Sequence, residues 1–122
     1  MTIIFSKYHA NGNDFILVWD KNFPDKFRNP NIIARLCNRQ FGIGADGMFI
    51  VSPSQNYDFS LDYYNSDGSW ETLCANGSRC AAHFIYNNNL ASANMVFSAG
   101  DGEHCAKIIK GGSVLMSMKP PK

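Results

Sequence analysis

The chain has 122 residues, 45% hydrophobic and 17% charged, a composition typical of one folded globular domain. Its eleven basic and ten acidic residues are scattered without runs, so the sequence lacks the basic patch typical of nucleic-acid binding. No apolar run approaches the length of a membrane span, and the N-terminus lacks a secretory signal pattern. We therefore expect a cytoplasmic protein with neither a nucleic-acid nor a membrane partner.

The first half of the chain favours four strands and one helix. Residues 2–9 and 14–20 are rich in β-branched and aromatic side chains and predict two strands joined by a turn. Pro30 suits the first turn of a helix that Gly42 would stop. The inward face of this helix would carry Ile32, Ile33, Leu36 and Cys37. Two more strands are predicted at residues 48–52 and 57–65, the second with alternating apolar and polar residues.

The second half begins with a turn and a second helix. From about Asn76, apolar residues recur at helical spacing until the three asparagines at 87–89. Three strands joined by glycine turns are predicted within residues 94–118. The fold class is therefore α+β: mainly antiparallel strands with two helices, in one domain over residues 1–118. The final residues 119–122, with two prolines, are expected to begin an interdomain linker.

The four cysteines are the first candidates for chemistry: Cys37, Cys74, Cys80 and Cys105. No pair has the C-x-x-C spacing common in zinc sites, and the histidines add no compact ligand pattern, so we expect free thiols and no metal or cofactor. Cys74 falls just before the second helix, where unpaired backbone N–H groups and the helix dipole stabilise a thiolate. The same N–H groups can bind a substrate carboxylate. One short segment could thus supply a base and an anion site.

Less specific interpretations apply to the same residues. A lone thiol at a helix start is often a core residue, and core packing is the expectation for Cys37, Cys80 and Cys105. A cysteine–histidine hydrolase would need a distant histidine, such as His9 or His104. The asparagines near glycine turns could bind a ligand or cap the turns.

Taken together, three segments resemble the N-terminal half of the diaminopimelate epimerase family. They are KYHANGNDF (7–15), GIGADG (42–47) and YNSDGSWETLCANGSRCAAHF (64–84), and the resemblance includes the order in which they come. The joint pattern N-D-F, G-x-G-x-D, N-x-D-G-S and C-x-N-G-x-R-C is highly specific, although any one piece is weak. The resemblance covers residues 1 to about 118.

The resemblance implies a cofactor-free enzyme that interconverts LL- and meso-diaminopimelate in lysine and peptidoglycan-precursor synthesis. Such an enzyme has two similar α+β domains, each a strand-rich shell around a central helix, with one cysteine from each domain acting on opposite faces of the α-carbon. Carried onto this chain, the catalytic cysteine is Cys74. The implied substrate-binding residues are Asn13 and Asn65, with the backbone N–H groups of Ala75 and Asn76 binding the α-carboxylate.

The chain also departs from the family pattern. Ala75 stands where glycine is usual, which a backbone N–H contact tolerates if φ is negative. Gly47 stands where some members carry a substrate-contacting glutamine, so that contact is not carried over. The second domain and its cysteine have no counterpart here, and we expect this half alone to be inactive. It could form a homodimer through the face that the missing C-terminal domain would cover.

Two alternatives remain at this stage. The chain could belong to a related isomerase of the same fold with another substrate, or it could be a non-catalytic binding domain.

Overall fold

The computed structural model describes residues 4–10, 12–71, 75–99, 102–109 and 114–118. Within them the predicted order of strands and helices is confirmed. Residues 119–122, predicted to begin a linker, lie outside the described residues. The strands are β1 (Ser6–Ala10), β2 (Asn13–Trp19), β3 (Gly47–Ser52), β4 (Phe59–Asn65), β5 (Trp70–Glu71), β6 (Asn94–Ala99), β7 (Gly102–Ile108) and β8 (Val114–Met118). The helices are α1 (Pro30–Cys37) and α2 (Ala75–Asn87), with short 3-10 turns at Asp20–Asn22 and Asp25–Phe27.

The described strands form one mixed sheet in the order β1-β2-β3-β4-β6-β7-β8, with β5 paired to β4. Most neighbours are antiparallel, as the sequence predicts. The pairs β2–β3 and β4–β6 are parallel, because a helix-containing connection separates each pair and returns the chain to the same end of the sheet. Helix α2 packs against β1, β2, β3, β7 and β8, whereas α1 packs against β3.

Strands β2 and β3 are buried on both faces and so separate two apolar clusters. Phe15, Leu17 and Phe49 face α2 together with the buried α2 residues Ala81 and Ile85. The alternate residues of the same strands face α1 and pack around it: Ile16, Val18, Met48 and Ile50 with Ile33 and Cys37. The alternation of strand side chains thus gives the sheet one face for each helix.

Two expectations need correction. Helix α1 ends at Cys37, well before Gly42, because the Asn38 side chain accepts hydrogen bonds from the N–H groups of Gln40 and Phe41 and the chain folds back over the helix end. Cys105 does not pack in the core: on β7 its neighbours His104 and Ala106 point inward and Cys105 is exposed. Cys80 and Cys37 are buried as predicted.

Candidate functional site

Asn13 and Asn65 lie at the same end of the sheet. In the register of the three central strands, Phe15 pairs with Gly47, and Gly47 pairs with Asn65. Asn13 is two residues before Phe15, so it lies on the same face, which is the face that α2 covers. Both asparagines are partly exposed. Two side chains that are 52 positions apart in the sequence therefore share one face and one end of the sheet.

The turn after β4 holds Asn65 in place. The Asn65 backbone N–H donates to the Ser69 carbonyl at 2.9 Å, and its side-chain Nδ2 donates to Ser69 Oγ at 3.2 Å. Gly68 closes the turn with φ of +87°, and a Cβ there would overlap the carbonyl of Pro30. Only glycine permits this approach, and the turn is thereby seated against the start of α1.

Helix α2 begins at this same end of the sheet. Gly77, in its first turn, lies so close to Phe49 that a Cβ would overlap the phenyl ring, and Phe15 is the next nearest side chain. Ala75 and Asn76 are the first two residues of the helix, so their backbone N–H groups have no acceptor within it. The structure thus brings the predicted substrate-binding groups, Asn13, Asn65 and the Ala75–Asn76 backbone, to one end of the sheet. Cys74 lies outside the described residues, and the side chains of Ala75 and Asn76 are not described.

The aromatic side chain of Tyr63 lies over Gly47. A Cβ at Gly47 would lie 2.6 Å from Cε1 and 2.7 Å from the hydroxyl oxygen of Tyr63. The Tyr63 ring packs on Phe49, with centroids 4.8 Å apart, and edge-on to Phe15 at 6.2 Å. Tyr63 is one of the apolar residues in the alternating pattern that predicts the strand at residues 57–65. That alternation gives the face of the sheet but not the direction of the ring.

The opposite face of the same sheet end carries a charged network. Arg39 donates to both oxygens of Asp14 at 3.1 and 2.7 Å and to Asp46 at 3.1 Å, while Lys7 lies 3.0 Å from Asp14. Asp14 and Asp46 also accept each other's backbone N–H. The hydrogen bonds from Arg39, followed by those from Lys7 and Asp46, hold the pKa of Asp14 well below its usual range, against the opposing effect of burial.

Of the three described cysteines, two are buried and only Cys105 is exposed. Cys37 and Cys80 are buried, and burial raises the pKa of Cys37 to about 11, with a further contribution from the Asp14 charge. Among the described residues, no three histidine, cysteine, aspartate or glutamate side chains are grouped to hold a metal ion. None of the helices in the described ranges is long and apolar enough to cross a membrane.

Neither histidine considered for a cysteine–histidine pair lies both at the Asn65 end of the sheet and on the face that α2 covers. His104 pairs with Phe97, which pairs with Phe59 at the far end of β4 from Asn65, about 20 Å along the strand. His9 is exposed and pairs with Asp14. On β1 it alternates with Tyr8 and Ala10, which face α2, so it lies on the other face. The geometry gives the hydrolase interpretation no support.

Comparison with known proteins identifies the family of this chain. Residues 5–122 match the family model described as diaminopimelate epimerase. The chain belongs to the diaminopimelate epimerase family. It is 44% identical to the diaminopimelate epimerase of Campylobacter jejuni (strain 81116) over 104 residues, 85% of this chain and 41% of that one. It is 45% identical to the Helicobacter pylori (strain Shi470) enzyme over 83% of this chain and 36% of that one. The relative from Flavobacterium psychrophilum is 40% identical over 113 residues, 93% of this chain and 44% of its own.

The chain therefore spans less than half the length of these family members. Solved structures of low identity show the same fold. A methylitaconate-delta-isomerase matches with a TM-score of 0.70 at 14% identity, over 91% of this chain and 36% of that one. A hydroxyproline epimerase from Agrobacterium vitis matches with a TM-score of 0.69 at 11% identity, over 93% and 40%. These likenesses support the epimerase-like α+β fold and nothing finer.

Proposed function

We propose that this chain is the N-terminal domain of a cofactor-independent diaminopimelate epimerase, which interconverts LL- and meso-diaminopimelate in the cytoplasm. In this proposal the domain covers residues 1–118, residues 119–122 begin a linker, and α2 is the central helix of one of two similar domains. The family membership and the names of the relatives support this substrate.

The observation that carries the proposal is the meeting of Asn13, Asn65 and the start of α2 at one end and on one face of the sheet. The free N–H groups of the first turn of α2 suit the α-carboxylate of an amino acid, because the positive end of the helix dipole favours an anion there. The two amide side chains can each donate to a carboxylate or accept from an ammonium group. The helix start and the two amides together suit the negative carboxylate and the positive ammonium group of an amino acid.

The chemistry assigned to this site is proton transfer at the α-carbon. The Cys74 thiolate removes the α-proton and becomes a thiol, which leaves the electron pair on the α-carbon. A second thiol, from a second domain, donates a proton to the opposite face and becomes a thiolate, so charge and protons balance. In the reverse direction the two thiols exchange roles. Since one thiol reaches only one face, the chain alone is expected to be inactive.

The test is exchange of the α-proton of LL- and meso-diaminopimelate in deuterated water, followed by NMR. The chain is measured alone and mixed with the C-terminal part of the Campylobacter jejuni relative that it does not cover. Cys74→Ala is expected to reduce exchange in the mixture about a hundredfold or more, because it removes an acid–base group. Cys105→Ala, which removes an exposed thiol away from the core, is the matched control and should leave exchange unchanged.

Each outcome of this experiment is informative. Exchange in the mixture that is lost with Cys74→Ala and kept with Cys105→Ala supports the proposal. Exchange by the chain alone would mean that a homodimer completes the site, and would contradict the expected inactivity. A further outcome is that the two parts bind each other, as measured by analytical ultracentrifugation, without catalysing exchange. That outcome would contradict the epimerase assignment and favour a binding domain.

A further inference from the structure

Two aspartates from separate motifs meet beside Asn13. Asp14 belongs to the N-D-F segment and Asp46 to the G-x-G-x-D segment, and the proposed reaction uses neither of them. The Asp14 N–H donates to the Asp46 carboxylate at 3.0 Å. The Asp46 N–H donates in return to the Asp14 carbonyl at 3.0 Å and to its carboxylate at 3.1 Å. Asp46 thus binds both the backbone N–H and the backbone carbonyl of Asp14.

These bonds extend the sheet toward Asn13. The regular pairing of β2 with β3 starts at Phe15, so Asn13 lies beyond it and pairs only with Ala10 of β1 in the described strands. The Asp14 N–H belongs to the planar peptide unit that follows the Asn13 Cα. Its bond to Asp46 therefore fixes that peptide unit, and the backbone in turn determines which side-chain rotamers Asn13 can adopt.

Arg39 holds the two carboxylates in this arrangement. Its guanidinium donates to both oxygens of Asp14, at 3.1 and 2.7 Å, and to Oδ1 of Asp46 at 3.1 Å, which leaves Oδ2 of Asp46 for the Asp14 N–H. Gly44, with φ of +87°, brings the loop backbone against Arg39, since a Cβ there would lie 3.1 Å from the Arg39 Cα. The planar guanidinium bonds in fixed directions, so it restricts how the carboxylates can turn.

We propose that Asp46 is a positioning residue of the candidate site, which holds Asn13 in the orientation that contacts the substrate, and that Arg39 keeps the Asp46 carboxylate in place. This inference rests on the role of Asn13 in the proposed function. It gives the G-x-G-x-D segment a part in recognition from the opposite face of the sheet, without contact between Asp46 and the substrate.

The first test requires no catalysis and uses the chain alone. NMR relaxation of the backbone amides on either side of the Asn13 Cα gives their order parameters. We expect values of about 0.85 in the unchanged chain and below about 0.6 in Asp46→Ala. Asp20→Ala is the matched control, because Asp20 follows β2 at its other end and also pairs with an arginine, Arg28. It should leave the order parameters at Asn13 unchanged.

The second test measures kcat and KM for diaminopimelate in the mixture with the Campylobacter jejuni C-terminal part. Asp46→Ala should raise KM about fivefold with little change in kcat, because it weakens one hydrogen bond to the bound substrate. A variant that merely unfolded more readily would reduce the amount of active protein, and so lower kcat with KM unchanged. Asp20→Ala should leave KM unchanged.

Two further variants grade the effect on KM. Asp46→Asn keeps an oxygen that can accept the Asp14 N–H but loses the charge that pairs with Arg39, so it should recover part of the loss. Arg39→Ala, at a side chain that is 59% exposed, should raise KM about twofold. Because so exposed a residue tolerates truncation, this variant also tests the inference if Asp46→Ala does not fold.

Double variants show whether Asp46 acts through Asn13. Asp46→Ala combined with Asn13→Ala should lose no more than Asn13→Ala alone, since both changes remove the same contact. Combined with Asn65→Ala, the two losses should multiply, because Asn65 is held by its own turn through Ser69.

The outcomes separate this inference from the proposed function. Unchanged order parameters at Asn13 in Asp46→Ala and Arg39→Ala would overturn the inference, whatever the mixture does. In an active mixture, an unchanged KM, or a loss that multiplies with that of Asn13→Ala, would also overturn it while the proposed function stands. If the parts bind each other but the unchanged mixture is inactive, the proposed function fails, and this inference fails with it.

Discussion

The two faces of the sheet at the ends of β2 and β3 use polar residues in opposite ways. On the α1 face, Asp14, Asp46, Arg39 and Lys7 bond to one another and to the backbone. On the α2 face, the polar groups are the neutral amides of Asn13 and Asn65, the Tyr63 hydroxyl and the start of a helix. Charges compensate each other on one face, while the other combines neutral polar groups with the positive end of a helix dipole.

This difference indicates how the site keeps its shape. The charged network joins β1, β2, the loop after α1 and the start of β3, so it fixes the strand ends that carry Asn13 and Gly47. In the proposed function, the α2 face binds a charged ligand without charged side chains of its own in the described residues of the site. Under that proposal, stability and recognition are divided between the two faces of one sheet.

The largest expected effect is on the α2 face, at Gly77. Gly77→Ala gains helix propensity of about 1 kcal/mol, but its Cβ would overlap the Phe49 ring. Because overpacking a buried aromatic cluster costs more, we expect a net loss of about 2 kcal/mol in the free energy of unfolding. Urea denaturation measures this loss. Arg79→Ala, at an exposed position of the same helix, should change stability by less than about 0.5 kcal/mol. A stabilised Gly77→Ala variant would show that α2 does not rest on Phe49.

The next effect is on the α1 face. Asp14→Asn should lower the free energy of unfolding at pH 7 by about 1 kcal/mol, since the network is partly exposed to solvent. The folded state lowers the pKa of Asp14, so its contribution is present above the unfolded pKa of about 3.9 and is lost as the pH falls below it. The difference in the free energy of unfolding between the unchanged protein and Asp14→Asn should therefore narrow progressively as the pH falls below about 4. Asp25→Asn, whose carboxylate is 99% exposed, is the control. If the difference in unfolding free energy does not depend on pH, the charge of Asp14 does not contribute to this network.

The smallest effect concerns the thiols and needs no variant. With iodoacetamide at pH 7, followed by peptide mass spectrometry, Cys105 should react in the folded protein because it is exposed. Cys37 should react only after unfolding, because it is buried and its pKa is raised to about 11. Cys74 should react fastest if the start of α2 stabilises its thiolate. Slow alkylation of Cys74 alongside fast alkylation of Cys105 would contradict the proposed role of the helix.

Periodicity predicted most of the fold but not its pairings. Strands β2, β3, β4, β6 and β7 and both helices follow from apolar spacing, because each has buried residues. The early end of α1 depends on hydrogen bonds that the Asn38 side chain accepts, and the two-residue strand β5 depends on the neighbouring β4. The parallel pairings depend on how the chain crosses the sheet, which no local pattern encodes.

The residues of the candidate site could be predicted from the sequence where they belong to a family motif. From its residue type, Asn65 could either bind a ligand or cap a turn. In the structure its side chain is hydrogen-bonded within the turn, and the residue lies at the candidate site. The roles of Asn13, Asn65 and Cys74 come from the family resemblance and stay predictions. The contact of Arg39 with Asp14, across 25 positions, and the placement of Tyr63 over Gly47 are tertiary features that the sequence did not reveal.

The short parallel ladder between β4 and β6 has a consequence for how the chain folds. It contains two residue pairs and is extended by the Asp58 side chain, which accepts the N–H of Val96, 38 positions away. Closing a loop of this length costs about 3 kcal/mol of chain entropy, which is comparable to what so few hydrogen bonds return. Helix α2 lies inside this loop and packs on strands from both sides of the junction, β1 to β3 and β7 to β8. The helix whose first turn is proposed to bind substrate thus also supplies the burial that closes the sheet.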